Sequence, residues 1–166
     1  MPYLAALAVA IIAAIWDLRS RRIPNWLTLS ALILAFAWHI VNGTWREAMW
    51  GTLLGAAIYL PMWLAGGRGG GDLKLMAALG AWLGPSPWIQ LFVLTALIGG
   101  LWALILVIAK RRLLSTLKNI WTIFRSLATG RKPAHRLGNE TALAIPHAAI
   151  VALAMLAWLA LMRPST

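Results

Sequence analysis

The chain has 166 residues, of which 61% are hydrophobic and 11% are charged, and its formal net charge at pH 7 is +11. Soluble domains carry about 25% charged residues, so this composition excludes an ordinary water-exposed globular protein and favours an integral membrane protein. The sequence contains no cysteine, which excludes disulfide bonds and thiolate metal sites. Backbone groups in lipid must pair within the chain as helices or a closed barrel. The apolar runs here are continuous rather than alternating, which favours helices.

Six apolar segments follow one another along the chain. They cover residues 2–16, 26–41, 48–65, 73–83, 88–109 and 141–162. A hydrocarbon layer of ~30 Å requires about 20 apolar residues per helix. We therefore predict an all-α integral membrane protein with six transmembrane helices, in a single domain over residues 1–166. No basic stretch precedes the first segment and no small-residue cleavage site follows it, so we expect this segment to be retained rather than removed as a signal peptide.

The fourth segment is the exception among the six. Its residues 73–83 correspond to only ~17 Å of helix, which is too short to cross a membrane alone. It follows the glycine-rich residues 66–71 and precedes a Gly-Pro-Ser-Pro stretch at residues 84–87. Non-helical backbone at membrane depth persists only where protein or water satisfies it. We therefore expect a water-filled cavity beside the start of this helix, near the cytoplasmic face.

The basic residues lie in the loops and concentrate on one side of the predicted bundle. One set of loops holds Arg19, Arg21, Arg22, Arg68, Lys74, Lys110, Arg111, Arg112, Lys118, Arg125, Arg131, Lys132 and Arg136, and the other holds only Arg46 and Arg163. Cytoplasmic loops of membrane proteins are enriched in lysine and arginine. The asymmetry therefore predicts a multi-pass protein of the cell (inner) membrane, with basic loops in the cytoplasm and both termini outside. Basic residues that flank apolar segments in this way argue against nucleic-acid binding.

Residues 113–128 form a separate pattern inside the long fifth loop. Apolar residues recur there at helical spacing, whereas basic and hydroxyl residues fall largely on the other side. This pattern is typical of an amphipathic helix that lies on anionic lipid. We predict a cytoplasmic interfacial helix here, and a helix that docks onto a partner protein is the alternative.

Asp17 and Asp72 are the only aspartates in the chain. Asp17 ends the first apolar segment and Asp72 opens the fourth, so the predicted topology places both at the cytoplasmic ends of their helices. Two carboxylates at matched depth can activate a water molecule between them. One accepts a proton from the water, while the other protonates or polarises the scissile carbonyl group. This is the chemistry of an aspartic peptidase, and we expect it to require no metal ion or organic cofactor.

Each aspartate also has a purely structural explanation. Asp72 follows a glycine run and could be the N-cap of the fourth helix, where a carboxylate suits the unpaired N–H groups and the helix dipole. Asp17 could pair with a neighbouring arginine in residues 19–22. The C-terminal end of a helix is, however, an unfavourable place for a carboxylate, and acidic residues in membrane segments are costly and usually functional.

Three motifs resemble those of the prepilin and preflagellin peptidases, which are intramembrane aspartic peptidases with a G-x-G-D motif. Residues 17–25, Asp-Leu-Arg-Ser-Arg-Arg-Ile-Pro-Asn, look like the signature of the family's first helix. Residues 69–75, Gly-Gly-Gly-Asp-Leu-Lys-Leu, look like the second signature. Residues 145–149, Ile-Pro-His-Ala-Ala, stand in degenerate form where the family has a proline motif on its last helix. The resemblance covers essentially the whole chain, including the number of helices.

The resemblance implies an endopeptidase that cleaves type IV prepilin-like precursors at the cytoplasmic membrane face, between a short basic leader and a hydrophobic helix. Asp17 and Asp72 would be the catalytic pair, and Gly69, Gly70 and Gly71 would let the substrate backbone approach Asp72. The partners implied are the precursor and the lipid bilayer. Larger family members carry a further cytoplasmic region with paired C-x-x-C motifs and methylate the new N-terminus. This chain has no cysteine and no such region. It is similar to the short branch that serves tight-adherence pili, or to the archaeal preflagellin enzymes, so we expect no methyltransferase activity.

Four further residues near the motifs receive interpretations of their own. Pro24 and Asn25 are expected to start the second helix, with Asn25 as its N-cap. Lys74 is two positions after Asp72, so on a helix it faces elsewhere and would anchor lipid head groups, although a loop would bring it to the site. We group Pro24, Asn25 and Lys74 with the residues that shape the site. His147 lies about two turns inside the last predicted helix, where we expect a buried, hydrogen-bonded histidine rather than a ligand.

Two other functions are compatible with the sequence. In a small proton- or cation-coupled transporter the two aspartates would bind the ion, and flux through proteoliposomes would depend on them. In a non-catalytic membrane component of a pilus or secretion assembly, replacing both aspartates would leave function intact. The lack of an inverted repeat argues against the transporter. The unfavourable position of Asp17 argues against the non-catalytic component.

Overall fold

The computed structural model describes residues 2–64, 70–109 and 146–161, and the regular structure in these ranges is entirely helical. The helices are α1 (Pro2–Ser20), α2 (Asn25–Val41), α3 (Trp45–Leu64), α4 (Gly70–Leu83), α5 (Pro85–Ala109) and α6 (His147–Leu161). The all-α prediction is confirmed. By length and composition α1 and α5 could each cross a membrane, and α2 and α6 are shorter apolar helices. The predicted interfacial helix at residues 113–128 and the glycine-rich residues 66–69 lie outside the described residues.

The start of α5 differs from the predicted segment because proline is favoured there. The apolar pattern begins at Trp88, whereas the helix begins at Pro85. A proline at the first helical position costs no hydrogen bond, since the N–H groups of that turn have no intrahelical partner. Gly84, with a φ of 73°, ends α4 immediately before it, in the left-handed conformation that glycine adopts at helix C-termini. Only this glycine separates α4 from α5.

The last helix starts later than predicted. The apolar pattern begins at residue 141, but α6 begins at His147, directly after Pro146. The carbonyl of Pro146 accepts the N–H groups of Ala149 and Ile150, at 3.2 and 3.3 Å. Proline is tolerated at a helix start and disrupts a helix interior, so Pro146 sets this boundary. The prediction that His147 lies two turns inside the helix is therefore wrong, because it is the first helical residue.

Three helix termini meet at one end of the bundle, which we call the aspartate end. The last turn of α1 carries Asp17, the first turn of α4 carries Asp72, and α6 begins with His147. At the opposite end, Nε2 of His39 lies 3.4 Å from the carbonyl oxygen of Trp82, which joins the ends of α2 and α4. The length of α4, ~20 Å, separates the two ends.

The short helix α4 is central and packs against α1, α2, α3 and α5. Its buried residues are Leu75, Met76, Ala78, Leu79, Gly80, Ala81, Trp82 and Leu83. Because all nine positions from Leu75 to Leu83 are buried or half-buried, protein rather than lipid surrounds this part of the helix. This is the environment in which a helix too short to cross a membrane alone is tolerated.

α3 and α4 approach one another so closely that their contact requires glycine. A Cβ atom at Gly51 or Gly80 would overlap the backbone of the other helix. A Cβ atom at Gly55 would lie 2.5 Å from the carbonyl oxygen of Met76. Small residues four positions apart, such as Gly51 and Gly55, let helix backbones meet in membrane proteins, where packing drives association. α3 and α4 therefore form a closely packed pair.

α1 buries alanine alone, and α6 packs against both α1 and α5. The buried residues are Ala6, Ala10, Ala13 and Ala14 on α1, and Ala148, Ile150, Val151, Ala152, Ala154, Met155 and Trp158 on α6. Small side chains bring the two backbones close together. The start of α6 consequently lies beside the last turn of α1, where Asp17 is found.

Candidate active site

Asp17 lies in the last turn of α1 and is half-buried. Its Oδ2 accepts a hydrogen bond of 3.1 Å from the backbone N–H of Ala148, in the first turn of α6. The C-terminus of α1 disfavours a negative charge, whereas the N-terminus of α6 favours one, because the two helix ends carry opposite partial charges. Asp17 is thus hydrogen-bonded to the start of α6. The neighbouring arginines of residues 19–22, which were the alternative partners, are exposed.

Asp72 is the third residue of α4 and is half-buried. It lies close enough to Asp17 and to His147 for electrostatic interaction with both. Because α4 begins at Gly70, the alternative that Asp72 is the N-cap is wrong, although the helix dipole still favours a carboxylate in this first turn. The structure therefore brings the two aspartates of the chain to the same end of the bundle.

A tyrosine on α3 and the histidine on α6 complete the polar group at the aspartate end. The Tyr59 hydroxyl lies 3.0 Å from Nε2 of His147, a hydrogen-bonding distance. Tyr59 is only 6% exposed, and it lies close enough to Asp72 for electrostatic interaction. The expected hydrogen bond of His147 is confirmed, and the residue is half-buried rather than enclosed.

Sequence reasoning missed Tyr59 and the backbone amide of Ala148. The one signal for Tyr59 is its hydroxyl group within the apolar residues 53–64 of α3, because polar groups in membrane segments usually face a partner. The signal for the amide is Pro146, since a proline that starts a helix is followed by N–H groups without intrahelical partners. Neither signal says which residue is contacted.

The glycines at the start of α4 allow close packing against neighbouring elements. A Cβ atom at Gly71 would lie 3.2 Å from the Cβ of Ile23, in the connection between α1 and α2. A Cβ atom at Gly70 would lie 3.2 Å from Nε1 of Trp63 on α3. Gly69 lies outside the described residues. That these glycines admit a substrate backbone stays a prediction.

Pro24, Asn25 and Lys74 form the rim of the aspartate end. The predicted N-cap role of Asn25 is wrong, because Pro24 occupies the cap position and Asn25 is the first residue of α2. Instead, Oδ1 of Asn25 accepts a hydrogen bond of 2.9 Å from Nζ of the exposed Lys74. This bond joins the first motif to the second. Lys74 lies on α4 and not in a loop, as the helical alternative predicted.

The aspartate end thus combines two carboxylates, an imidazole and a phenol from four helices. Carboxylates in this arrangement can exchange protons with a water molecule and with a bound carbonyl group. Within residues 2–64, 70–109 and 146–161, no three histidine or acidic side chains are grouped as a metal site would require.

The fold and the site define a helical bundle of membrane type with a carboxylate pair suited to acid–base chemistry. Residues 4–104 match the type IV leader peptidase family. Since this match extends over more than half of the sequence, the chain belongs to that family. The matched residues contain Asp17, Tyr59 and Asp72, and they end before α6 begins.

The chain is also similar to proteins named prepilin leader peptidase/N-methyltransferase. The protein from Xanthomonas campestris pv. campestris is 36% identical over 107 residues, which cover 58% of this chain and 37% of the relative. The protein from Neisseria gonorrhoeae is 32% identical over 105 residues, which cover 58% and 37%. The protein from Escherichia coli K12 is 32% identical over 113 residues, which cover 61% and 49%. The chain thus matches less than half of the length of these relatives. No solved structure matches it.

Proposed function

We propose that this chain is a membrane aspartic endopeptidase that removes the leader peptide of type IV prepilin-like precursors at the cytoplasmic membrane face. The observation that carries the proposal is the convergence of Asp17 and Asp72, two half-buried carboxylates from separate helices, within electrostatic range of each other. Membership of the type IV leader peptidase family supports the reaction. The names of the relatives support the substrate class. The proposal covers the peptidase activity and no methyltransferase activity.

The chemical step uses the two aspartates as an acid–base pair. One carboxylate accepts a proton from a water molecule as the water oxygen attacks the carbonyl carbon of the scissile peptide bond. The other, in its protonated form, donates its proton to the carbonyl oxygen. Transfer of a proton to the peptide nitrogen then lets the C–N bond break, which releases the leader and the mature N-terminus.

The remaining site residues are proposed to shape the substrate channel. Gly69, Gly70 and Gly71 precede Asp72 directly, and glycine permits the close approach of an extended backbone. The other proposed contacts are the rim residues Pro24, Asn25 and Lys74, and the last two are joined by a hydrogen bond. An apolar substrate helix would enter laterally from the bilayer and present its junction with the leader at this rim.

The proposed location is the inner membrane, with α1 to α6 as six spans and the aspartate end in the cytoplasm. The described basic residues at the aspartate end are Arg19, Arg21, Arg22 and Lys74, and the opposite end carries Arg46. This distribution supports the orientation, because cytoplasmic ends are enriched in lysine and arginine. Both termini would lie outside, and residues 113–128 would lie on the inner lipid surface.

The proposal is tested by incubating the purified protein with a leader-bearing prepilin and measuring the shortened product. Asp17→Asn and Asp72→Asn should each reduce cleavage by more than about a hundredfold, since general acid–base groups contribute about 10²–10⁴-fold. Asp17→Asn should stay folded because its side-chain oxygen can still accept the Ala148 N–H. Asp72→Asn should stay folded because asparagine has nearly the same size and shape in the first turn of α4.

Glu47→Gln is the matched control, because it makes the same chemical change in the first turn of α3 at the opposite end. Its cleavage rate should equal that of the wild type. Cleavage that persists in either asparagine variant would remove that residue from the mechanism. Aspartate-dependent ion flux through proteoliposomes without cleavage would instead support the transporter.

A further inference from the structure

We infer that the hydrogen bond between Tyr59 and His147 positions the start of α6, and with it the Ala148 N–H that binds Asp17. Tyr59 and His147 are thereby assigned as positioning residues for the aspartate pair. The inference rests on the proposed function, since it concerns the same site.

The Tyr59 hydroxyl is held in a fixed place relative to α4. Its ring packs edge-on against Phe92, with 6.1 Å between ring centroids, and Phe92 is stacked on Trp88 at 5.4 Å. The indole N–H of Trp88 in turn donates a hydrogen bond of 2.9 Å to the carbonyl of Met76, on α4. Tyr59 therefore presents its hydroxyl from a packed aromatic group that is bonded to the helix carrying Asp72.

The start of α6 is the part that needs such an anchor. The first N–H groups of a helix lack intrahelical partners, and helix ends are the first parts of a structure to open. His147 and Ala148 are adjacent, so a single peptide unit links the imidazole that meets Tyr59 to the N–H that meets Asp17. A bond to the imidazole therefore restrains the backbone that carries that N–H.

The resulting chain of contacts connects the two aspartates through protein. Asp72 lies on α4, which packs against α3, and Tyr59 on α3 contacts His147 at the start of α6. Ala148 then meets Asp17 on α1. Loss of the Tyr59–His147 bond removes neither carboxylate, but it should make the distance between them less well defined. Catalysis depends on an accurate distance between the acid and base groups.

Two measurements on purified full-length protein test the inference. The first is amide hydrogen–deuterium exchange of the peptide that contains residues 147–150, which needs no substrate. The second is the separation of kcat from KM in prepilin cleavage. Tyr59→Phe removes only the hydroxyl, and His147→Ala removes the imidazole. Each should raise exchange at the start of α6 by about fivefold to tenfold, as expected for the loss of one hydrogen bond.

The same two variants should lower kcat by about tenfold and leave KM within about twofold, because substrate contacts are retained. His147→Gln should restore exchange and kcat to within about threefold of wild type, since its carboxamide can reach the Tyr59 hydroxyl. The matched control is Gln90→Leu, which removes the 2.9 Å hydrogen bond between Trp158 and Gln90 near the other end of α6. It should change neither exchange at residues 147–150 nor kcat.

Unchanged exchange in Tyr59→Phe would overturn the inference, whether or not the wild type cleaves prepilin. A His147→Gln variant as impaired in kcat as His147→Ala would also overturn it, because the imidazole itself would then be chemically required. Faster exchange in both variants, with no cleavage by the wild type, would support the anchoring of α6 and refute the proposed peptidase. Failure of the inference and failure of the proposed function are thereby distinguished.

Discussion

Asp17 occupies a position that two helix termini influence in opposite directions. As part of the last turn of α1 it faces the negative end of that helix dipole, and through its Ala148 contact it meets the positive end of α6. A carboxylate at this position does not stabilise α1. Its unfavourable interaction with the dipole of α1 is offset only by the N-terminus of a second helix, α6. Such a dependence is expected of a residue retained for chemistry rather than for the stability of its own helix.

Gly71 is the residue at which a small change should have the clearest local effect. A Cβ atom there would lie 3.2 Å from Ile23, so in Gly71→Ala the connection between α1 and α2 must shift by a few tenths of an ångström. We expect the variant to lose about 1 kcal/mol of unfolding free energy, as overpacking in a filled site does. Thermal unfolding in detergent measures this loss.

Gly100→Ala provides the comparison, because a Cβ atom at Gly100 meets no atom within 4 Å. The same substitution in open space on a helix should raise stability by about 0.5–1 kcal/mol. If Gly71→Ala unfolded at the same temperature as Gly100→Ala, the contact between the two motifs would have no energetic importance.

At the scale of helices, the most extensive contact among the described helices is that between α3 and α4. Their glycines remove the side chains that would otherwise hold the backbones apart, so the gain comes from close van der Waals contact along the crossing. Tyr59 and Asp72 belong to this pair, one on each helix. The closeness of the crossing therefore sets how accurately the Asp72 carboxylate and the Tyr59 phenol are held relative to each other.

Gly80→Ala tests this crossing directly. The added methyl group would overlap the backbone of Gly51, so the helices must separate, and we expect a loss of about 3 kcal/mol at the upper end of overpacking effects. Gly99→Ala is the control, since its Cβ would make ordinary contact with Ile150 at 3.7 Å. A Gly80→Ala variant that matches Gly99→Ala in thermal unfolding would show that the backbones of α3 and α4 are not in direct contact at Gly80.

The all-α class and the approximate positions of the helices were predictable, because continuous apolar runs in a membrane protein form helices in nearly every case. The boundaries at Pro85 and His147 were not, since hydropathy does not record which residues helix starts tolerate. The meeting of Asp17 and Asp72 at one end could be anticipated from topology. The Tyr59–His147 bond joins residues 88 positions apart, and it depends on helix rotations that only packing determines. The catalytic roles stay predictions.

At the scale of the whole molecule, the described basic residues are distributed unevenly between the two ends of the bundle. Most described basic residues lie at the aspartate end, and Arg46 lies at the opposite end. Under the positive-inside rule this arrangement predicts that the carboxylates face the cytoplasm. The exposed apolar side chains around the bundle, such as Leu29, Leu97 and Leu153, are consistent with contact with lipid.

Cysteine labelling can measure this orientation without background, because the native sequence has no cysteine. Ser20→Cys introduces an exposed thiol at the aspartate end, and Asn42→Cys introduces one at the opposite end. A membrane-impermeant maleimide should label position 20 only in inverted vesicles and position 42 only from outside intact spheroplasts. The reverse pattern would place the carboxylates outside and contradict cleavage at the cytoplasmic face.

A substrate helix arriving from the bilayer needs an opening between helices, and the glycine crossing of α3 with α4 opposes one there. With backbone lying on backbone at Gly51 and Gly80, these two helices would stay together as one rigid body. α1 and α6, tied through Asp17 and Ala148, would form the second, so each body carries one aspartate. Under the proposed function, admission of the precursor between these two bodies would break the Tyr59–His147 contact and part the carboxylates, and closure around the peptide bond would restore both.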